Sequence, residues 1–111
     1  MINIHPALLP AFKGLDTHKR ALAAAAKVHG ATVHFVVPDM DSGPIIAQGA
    51  VAVHDDDTEE SLAARVIDIE HRLYPMALRL VAEGEVRIEN GRCFVARAAP
   101  EGALLVPPDG H

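Results

Sequence analysis

Two polar side chains lie close together near the start of the chain, in the stretch NIHPALLP. Asn3 and His5 are two residues apart, and in an extended segment residues two apart point to the same side. Pro6 biases His5 towards an extended conformation. The sequence therefore predicts an amide that can donate a hydrogen bond and an imidazole that can carry a proton, both facing one site.

A second group of polar residues follows further along the chain. Thr32 and His34 are also two apart, in a segment of β-branched residues that reads as a strand. Asp41 lies in the loop PDMDSGP just after it, where functional residues are often placed. On residue types alone, however, ordinary structural roles are favoured, because Asp is common in turns and His on sheet faces.

Metal binding and nucleophilic catalysis find little support in the residue spacing. The chain has seven histidines, and none forms a His-x-x-x-His pair with a carboxylate on one helix. Cys93 has no nearby histidine, and neither Ser42 nor Ser61 lies in a nucleophile elbow. No glycine-rich phosphate loop is present either. We therefore expect no metal site.

The composition is that of one small domain. The 111 residues are 50% hydrophobic and carry a net charge of -5 without a lysine or arginine cluster, which argues against nucleic-acid binding. A single cysteine fits a reducing compartment. No apolar run is long enough to span a membrane, and no signal peptide opens the chain. We expect a soluble cytoplasmic protein that binds neither nucleic acid nor membrane.

Local patterns predict alternating helices and strands in the first half. Asp16 is a candidate N-cap for an alanine-rich helix that runs to Val28 and ends at His29 and Gly30. Residues 31–37 and 45–53 read as strands, the second with a bulge suggested by Gly49, and residues 38–44 read as the loop between them.

The second half is dominated by one amphipathic helix. Thr58 is its predicted cap and Gly84 its end. Asn90-Gly91 predicts the turn of a hairpin after it. The apolar stripe on the helix has spacings of three and four and consists of Leu62, Val66, Ile69, Leu73, Met76 and Leu80. The order of elements indicates an α/β fold, a mixed sheet with flanking helices.

Three stretches resemble one family. They are NIHPALLPAFKGLDTHKRAL, HGATVHFVVPDMDSGPIIAQ and ARVIDIEHRLYP, and they are similar to the C-terminal half of phosphoribosylglycinamide formyltransferase, a folate-dependent formyltransferase of purine synthesis. The resemblance implies that residues 1–97 form the C-terminal, catalytic half of a formyltransferase domain. Residues 98–111, rich in proline and glycine, are expected to be a poorly packed tail.

The resemblance also implies site residues. Asn3, His5 and Asp41 match the family's catalytic trio, which transfers the formyl group of 10-formyltetrahydrofolate to the amine of glycinamide ribonucleotide. Glu70 matches a residue that binds the ribose hydroxyls of that substrate. Thr32 and His34 would support the site. The folate-contacting loop would comprise Val36, Val37, Pro38, Asp39, Met40 and Asp41.

One departure from the family qualifies these expectations. The family's N-terminal half, which carries a glycine-rich phosphate-binding loop, has no counterpart in this sequence. We therefore expect the isolated chain to have little activity, to self-associate through its exposed sheet edge and helix faces, and to be active only with a complementing N-terminal half. The alternatives are an inactive, self-associating fragment and a formyltetrahydrofolate hydrolase relative, in which water replaces the amine.

Overall fold

The protein is described by a computed structural model that covers residues 1–37, 43–96 and 103–105. Its main sheet has the strand order β1-β2-β3-β6, formed by β1 (Ile2–His5), β2 (Val28–Phe35), β3 (Ile45–Ala52) and β6 (Ala103–Leu105). The first three strands are antiparallel neighbours, whereas β6 runs parallel to β3. The sheet is therefore mixed, as the sequence predicts.

One face of this sheet is covered by the long helix α2 (Glu59–Ala82). Thr58 caps the helix by a capping box with Ser61, which satisfies backbone groups that the first turn leaves free. The predicted stripe is buried except at Met76, which is only partly buried; Ala77 is fully buried in its stead. The helix begins at the expected residue and ends close to Gly84, and it continues through Pro75.

Gly49 brings β3 and α2 close together. A Cβ on this residue would lie 2.8 Å from two side-chain atoms of Ile69. Gly49 itself pairs regularly with Ala31, and the register shift lies instead between Val33 and His34 of β2. The predicted bulge at Gly49 is therefore wrong, and the glycine serves the close approach of helix and strand.

The alanine-rich helix is shorter than predicted. Helix α1 (Thr17–Ala23) ends where Ala25 adopts a left-handed conformation, φ 56°. The amides of Ala25 and Ala26 donate to the carbonyls of Leu22 and Ala21, which is a Schellman motif. The high helix propensity of alanine is thus overridden by tertiary structure, and β2 begins at Val28 rather than at residue 31.

A hairpin completes the described chain between α2 and β6. Strands β4 (Val86–Glu89) and β5 (Arg92–Val95) pair around Asn90 and Gly91, both at positive φ, as the sequence predicts. Strand β6 lies within the segment for which we expected a poorly packed tail, and sequence patterning did not reveal it. The predicted α/β fold, a mixed sheet with flanking helices, is confirmed.

Candidate active site

A row of polar side chains crosses the sheet face opposite α2. In the register of β1 and β2, Asn3 lies opposite His34 and His5 lies opposite Thr32. Residues directly opposite each other in an antiparallel pair project to the same side. The two predicted polar pairs are thus brought together as one four-residue patch. His5, Thr32 and His34 are buried, while Asn3 is exposed.

The segment after β1, residues 6–12, covers part of this patch. The hydroxyl of Thr32 donates to the carbonyl of Ala7 at 2.7 Å and accepts from the amide of Leu9 at 3.0 Å. Ala7 and Leu9 are themselves buried. The hydroxyl therefore ties the chain that follows His5 to the centre of the sheet.

The imidazole of His5 is oriented by the end of the same segment. Its Nε2 lies 3.0 Å from the carbonyl oxygen of Phe12. A carbonyl can only accept, so Nε2 must carry the proton and donate it. When neutral, the ring is thereby held as the Nε2–H tautomer, and a second proton can bind only at Nδ1.

The predicted folate loop, residues 36–41, is described only at its start. Val36 is exposed, and its amide donates to the carbonyl of Met1; Val37 is partly buried. Beyond the loop, a Cβ on Gly43 would lie 1.7 Å from the carbonyl oxygen of Phe35, so the chain passes close against β2 there. Pro38, Asp39, Met40 and the predicted catalytic Asp41 lie outside the described residues.

Glu70 lies on α2 beside the open edge of β1. It lines a depression of about 510 Å³ whose wall includes Asn3. Burial raises the pKa of Glu70, and the nearby charges of His71 and His5 oppose that rise. The same depression is lined also by Ile4, His71, Tyr74 and Pro75. The structure therefore brings the predicted ribose-binding carboxylate to the same depression as Asn3.

A pair of histidines lies next to this region. His18 Nδ1 and His29 Nε2 are 3.2 Å apart, and the ring of Phe12 stacks edge-on against that of His29. His29 is buried in β2, so its predicted place at a helix end is wrong, because α1 ends several residues earlier. Burial, together with His18 and His5, lowers the pKa of His29 to about 4.

Within the described ranges, no three histidine, cysteine or acidic side chains converge as a possible metal-binding set. The same residues contain no helix that is both long and apolar enough to cross a membrane.

Sequence reasoning missed two residues that hold this region together. Thr17 donates to the carbonyl of Pro6 at 2.5 Å, and Gln48 on β3 donates to Thr32 and to Leu9. Both lie within stretches that carry the resemblance, but neither was singled out there for a role. The alternation of β3 would have placed Gln48 on one face of the sheet, but not opposite Thr32, because the register depends on pairing between strands.

The fold agrees with comparisons to known proteins. A family model described as formyl transferase matches residues 1–78. The trifunctional purine biosynthetic protein adenosine-3 of Bos taurus is 55% identical over 97 residues, which are 86% of this chain and 10% of that protein. The phosphoribosylglycinamide formyltransferase of Escherichia coli K12 is 38% identical over 111 residues, 100% of this chain and 50% of that enzyme.

Solved structures show the same likeness. A phosphoribosylglycinamide formyltransferase from Anaplasma phagocytophilum superposes with a TM-score of 0.89 at 42% identity, covering 94% of this chain and 51% of that one. A formyltetrahydrofolate deformylase from Pseudomonas syringae gives 0.83 at 34% identity, over 86% of this chain and 32% of that one.

The chain belongs to the formyl transferase family. Within that family it is similar to the phosphoribosylglycinamide formyltransferases, and it spans about half the length of those that it matches.

Proposed function

We propose that this chain carries the catalytic groups for transfer of a formyl group from 10-formyltetrahydrofolate to the amine of glycinamide ribonucleotide, as part of a complete formyltransferase unit. The observation that carries the proposal is the cross-strand patch in which His5 lies opposite Thr32 and Asn3 lies opposite His34. The similarity to enzymes named for this reaction supports it.

The chemistry is a direct acyl transfer. The substrate amine attacks the formyl carbon, and negative charge develops on the formyl oxygen. The amide of Asn3 donates a hydrogen bond to that oxygen. The C–N bond to N10 of the folate then breaks, and protonated His5 supplies the proton that the departing nitrogen takes up.

The proton lost by the attacking amine needs an acceptor. Asp41 fills this role in the proposal, directly or through a water molecule. No covalent enzyme intermediate and no metal ion is needed. Val36 and Val37, at the start of the loop 36–41, would present backbone groups to the folate.

Glu70 would bind the sugar of the substrate. A carboxylate accepts hydrogen bonds from two neighbouring hydroxyls, and Glu70 lines the depression that also contains Asn3. The amine attached to that sugar would then lie near the patch. The substrate phosphate and the rest of the folate pocket are assigned to the remainder of the unit, which accounts for the length that the relatives have beyond this chain.

The test is formyl transfer by the chain alone and by the chain mixed with a separately produced N-terminal half of a relative. We expect activity on mixing only. His5→Ala should lower kcat by about 10² to 10⁴-fold and Asn3→Ala by about 10² to 10³-fold. The matched control is His54→Ala. It removes an exposed histidine just after the C-terminal end of β3 and should leave the rate unchanged.

Two other results would each replace the proposal, and a third would change its mechanism. Formate released without the amine substrate would make water the acceptor, as in the deformylase to which the chain is similar in structure. No turnover by a folded mixture would leave an inactive fragment. Full activity of His5→Ala would remove His5 from the mechanism.

A further inference from the structure

Gln48 lies at the centre of the sheet, opposite Thr32. Its side-chain amide donates two hydrogen bonds, one to the carbonyl of Leu9 at 2.8 Å and one to the hydroxyl of Thr32 at 3.0 Å. A single side chain on β3 thereby reaches both the neighbouring strand and the segment of residues 6–12.

Thr32 makes the complementary bonds. Its one proton goes to the carbonyl of Ala7, and its oxygen accepts from the amide of Leu9 and from Gln48. The hydroxyl thus uses its donor and both of its acceptor positions. Removing the Gln48 amide would leave the Leu9 carbonyl and one lone pair of a fully buried hydroxyl without these partners, which is unfavourable.

The segment that these bonds hold, residues 6–12, contacts His5 near both of its ends. Ala7 donates its amide to the carbonyl of His5 at 2.8 Å, and Phe12 accepts the Nε2 proton of the His5 ring at 3.0 Å. The ring orientation of His5 therefore depends on where residues 6–12 lie. Gln48 and His5 are connected through this segment, although no direct bond between them is needed.

We propose that Gln48 is a positioning residue for His5. By bonding Leu9 and Thr32, it fixes residues 6–12 and so holds the His5 imidazole in one orientation and in the Nε2–H tautomer. The expected effect of Gln48 on turnover rests on the formyl transfer proposed above. The structural part of the proposal can be tested without any activity.

The first experiment is ¹⁵N NMR of the chain with labelled histidine, with the His5 signals assigned from a His5→Asn variant. In the unaltered chain, neutral His5 should show an Nε2–H tautomer. Gln48→Met keeps the length of the side chain and removes both donors. Gln48→Glu replaces the donating NH₂ by an oxygen. In both variants we expect His5 to become a mixture of tautomers.

Three further variants separate positioning from loss of stability. Thr32→Ser keeps the hydroxyl and should retain the signature, whereas Thr32→Val removes it and should lose it. Ser61→Ala breaks the capping box at the far end of α2 and lowers stability without touching residues 6–12. It should leave the His5 signals unchanged.

The second experiment measures turnover of the complemented enzyme. Gln48→Met should lower kcat by about 10 to 10²-fold, because the acid is misplaced, with little change in KM for the amine substrate. If folded Gln48→Met and Gln48→Glu both kept the single Nε2–H tautomer of His5, the proposal would be overturned. If no variant, including the unaltered chain, transferred formyl groups, the proposed function would fail while the NMR result still decided the role of Gln48.

Discussion

Asn3 and His5, two residues apart on β1, are held in very different ways. His5 is 6% exposed, and its ring donates to a backbone carbonyl, so its orientation is set before any ligand binds. Asn3 is exposed on the outer strand of the described sheet. Its side chain would lose rotamer freedom on binding, which costs free energy. The proposed chemistry would therefore depend on a preorganised His5 and on a surface that orders Asn3.

His29 gives the fold a dependence on pH. Its pKa is lowered to about 4, mainly by burial and then by His18 and His5, whereas in the unfolded chain it is near 6.5. Between these values the unfolded state binds more protons than the folded state. The contribution of His29 therefore lowers stability as the pH drops from about 6.5 to 4 and does not change above this range. The full loss is at most about 3 kcal/mol.

Urea denaturation between about pH 7.5 and 4.5 measures this effect. His29→Gln removes the titrating group and should give a flatter decline of the free energy of unfolding with falling pH. His54→Gln, which changes an exposed histidine, should behave like the unaltered chain. Parallel curves for the unaltered chain and His29→Gln would contradict the prediction.

At the scale of elements, the end of α1 decides where β2 begins. Ala25 takes the left-handed position of the Schellman motif, which glycine usually occupies. A left-handed alanine costs roughly 1 kcal/mol because its Cβ approaches the following carbonyl oxygen. The motif is nevertheless formed, so that Val28 can enter the sheet and His29 can pack beneath Phe12.

This strain predicts opposite effects for two neighbouring alanines. Ala25→Gly should stabilise the fold by about 0.5–1 kcal/mol, since glycine adopts positive φ without a penalty. Ala23→Gly, within the helix, should destabilise it by a similar amount. Both residues are exposed, so packing changes are small. Thermal and urea unfolding of the two variants would check the signs, and equal signs would contradict the assignment of the motif.

At the scale of the molecule, β1 lies at the edge of the described sheet and pairs there only with β2. An unpaired strand edge is a template for pairing with another chain. Ile67 and Leu78 on α2 are about half exposed, at 47% and 48%. These features support the prediction that the chain self-associates, against the repulsion from a net charge of -5 per copy.

Light scattering after size-exclusion chromatography should therefore give a mass that rises with protein concentration. Ile67→Lys combined with Leu78→Lys should shift the chain towards monomer if α2 contributes to the contact. Ile88→Lys, on strand β4 of the separate hairpin, is the matched control with a similarly exposed side chain. A constant monomer mass at high concentration would rule out self-association.

The sequence determined the existence and order of most elements, since the apolar stripe of α2, the Thr58 cap and the Asn90-Gly91 turn are local signals. Alternation along a strand also paired Asn3 with His5 and Thr32 with His34, because it assigns side chains two residues apart to one face. Only the tertiary structure decided that the two pairs lie opposite each other, that Gln48 reaches residues 6–12, and that α1 ends at Ala23. Strand register, cross-strand hydrogen bonds and helix ends depend on contacts between residues far apart in the chain, and local patterns do not encode those contacts.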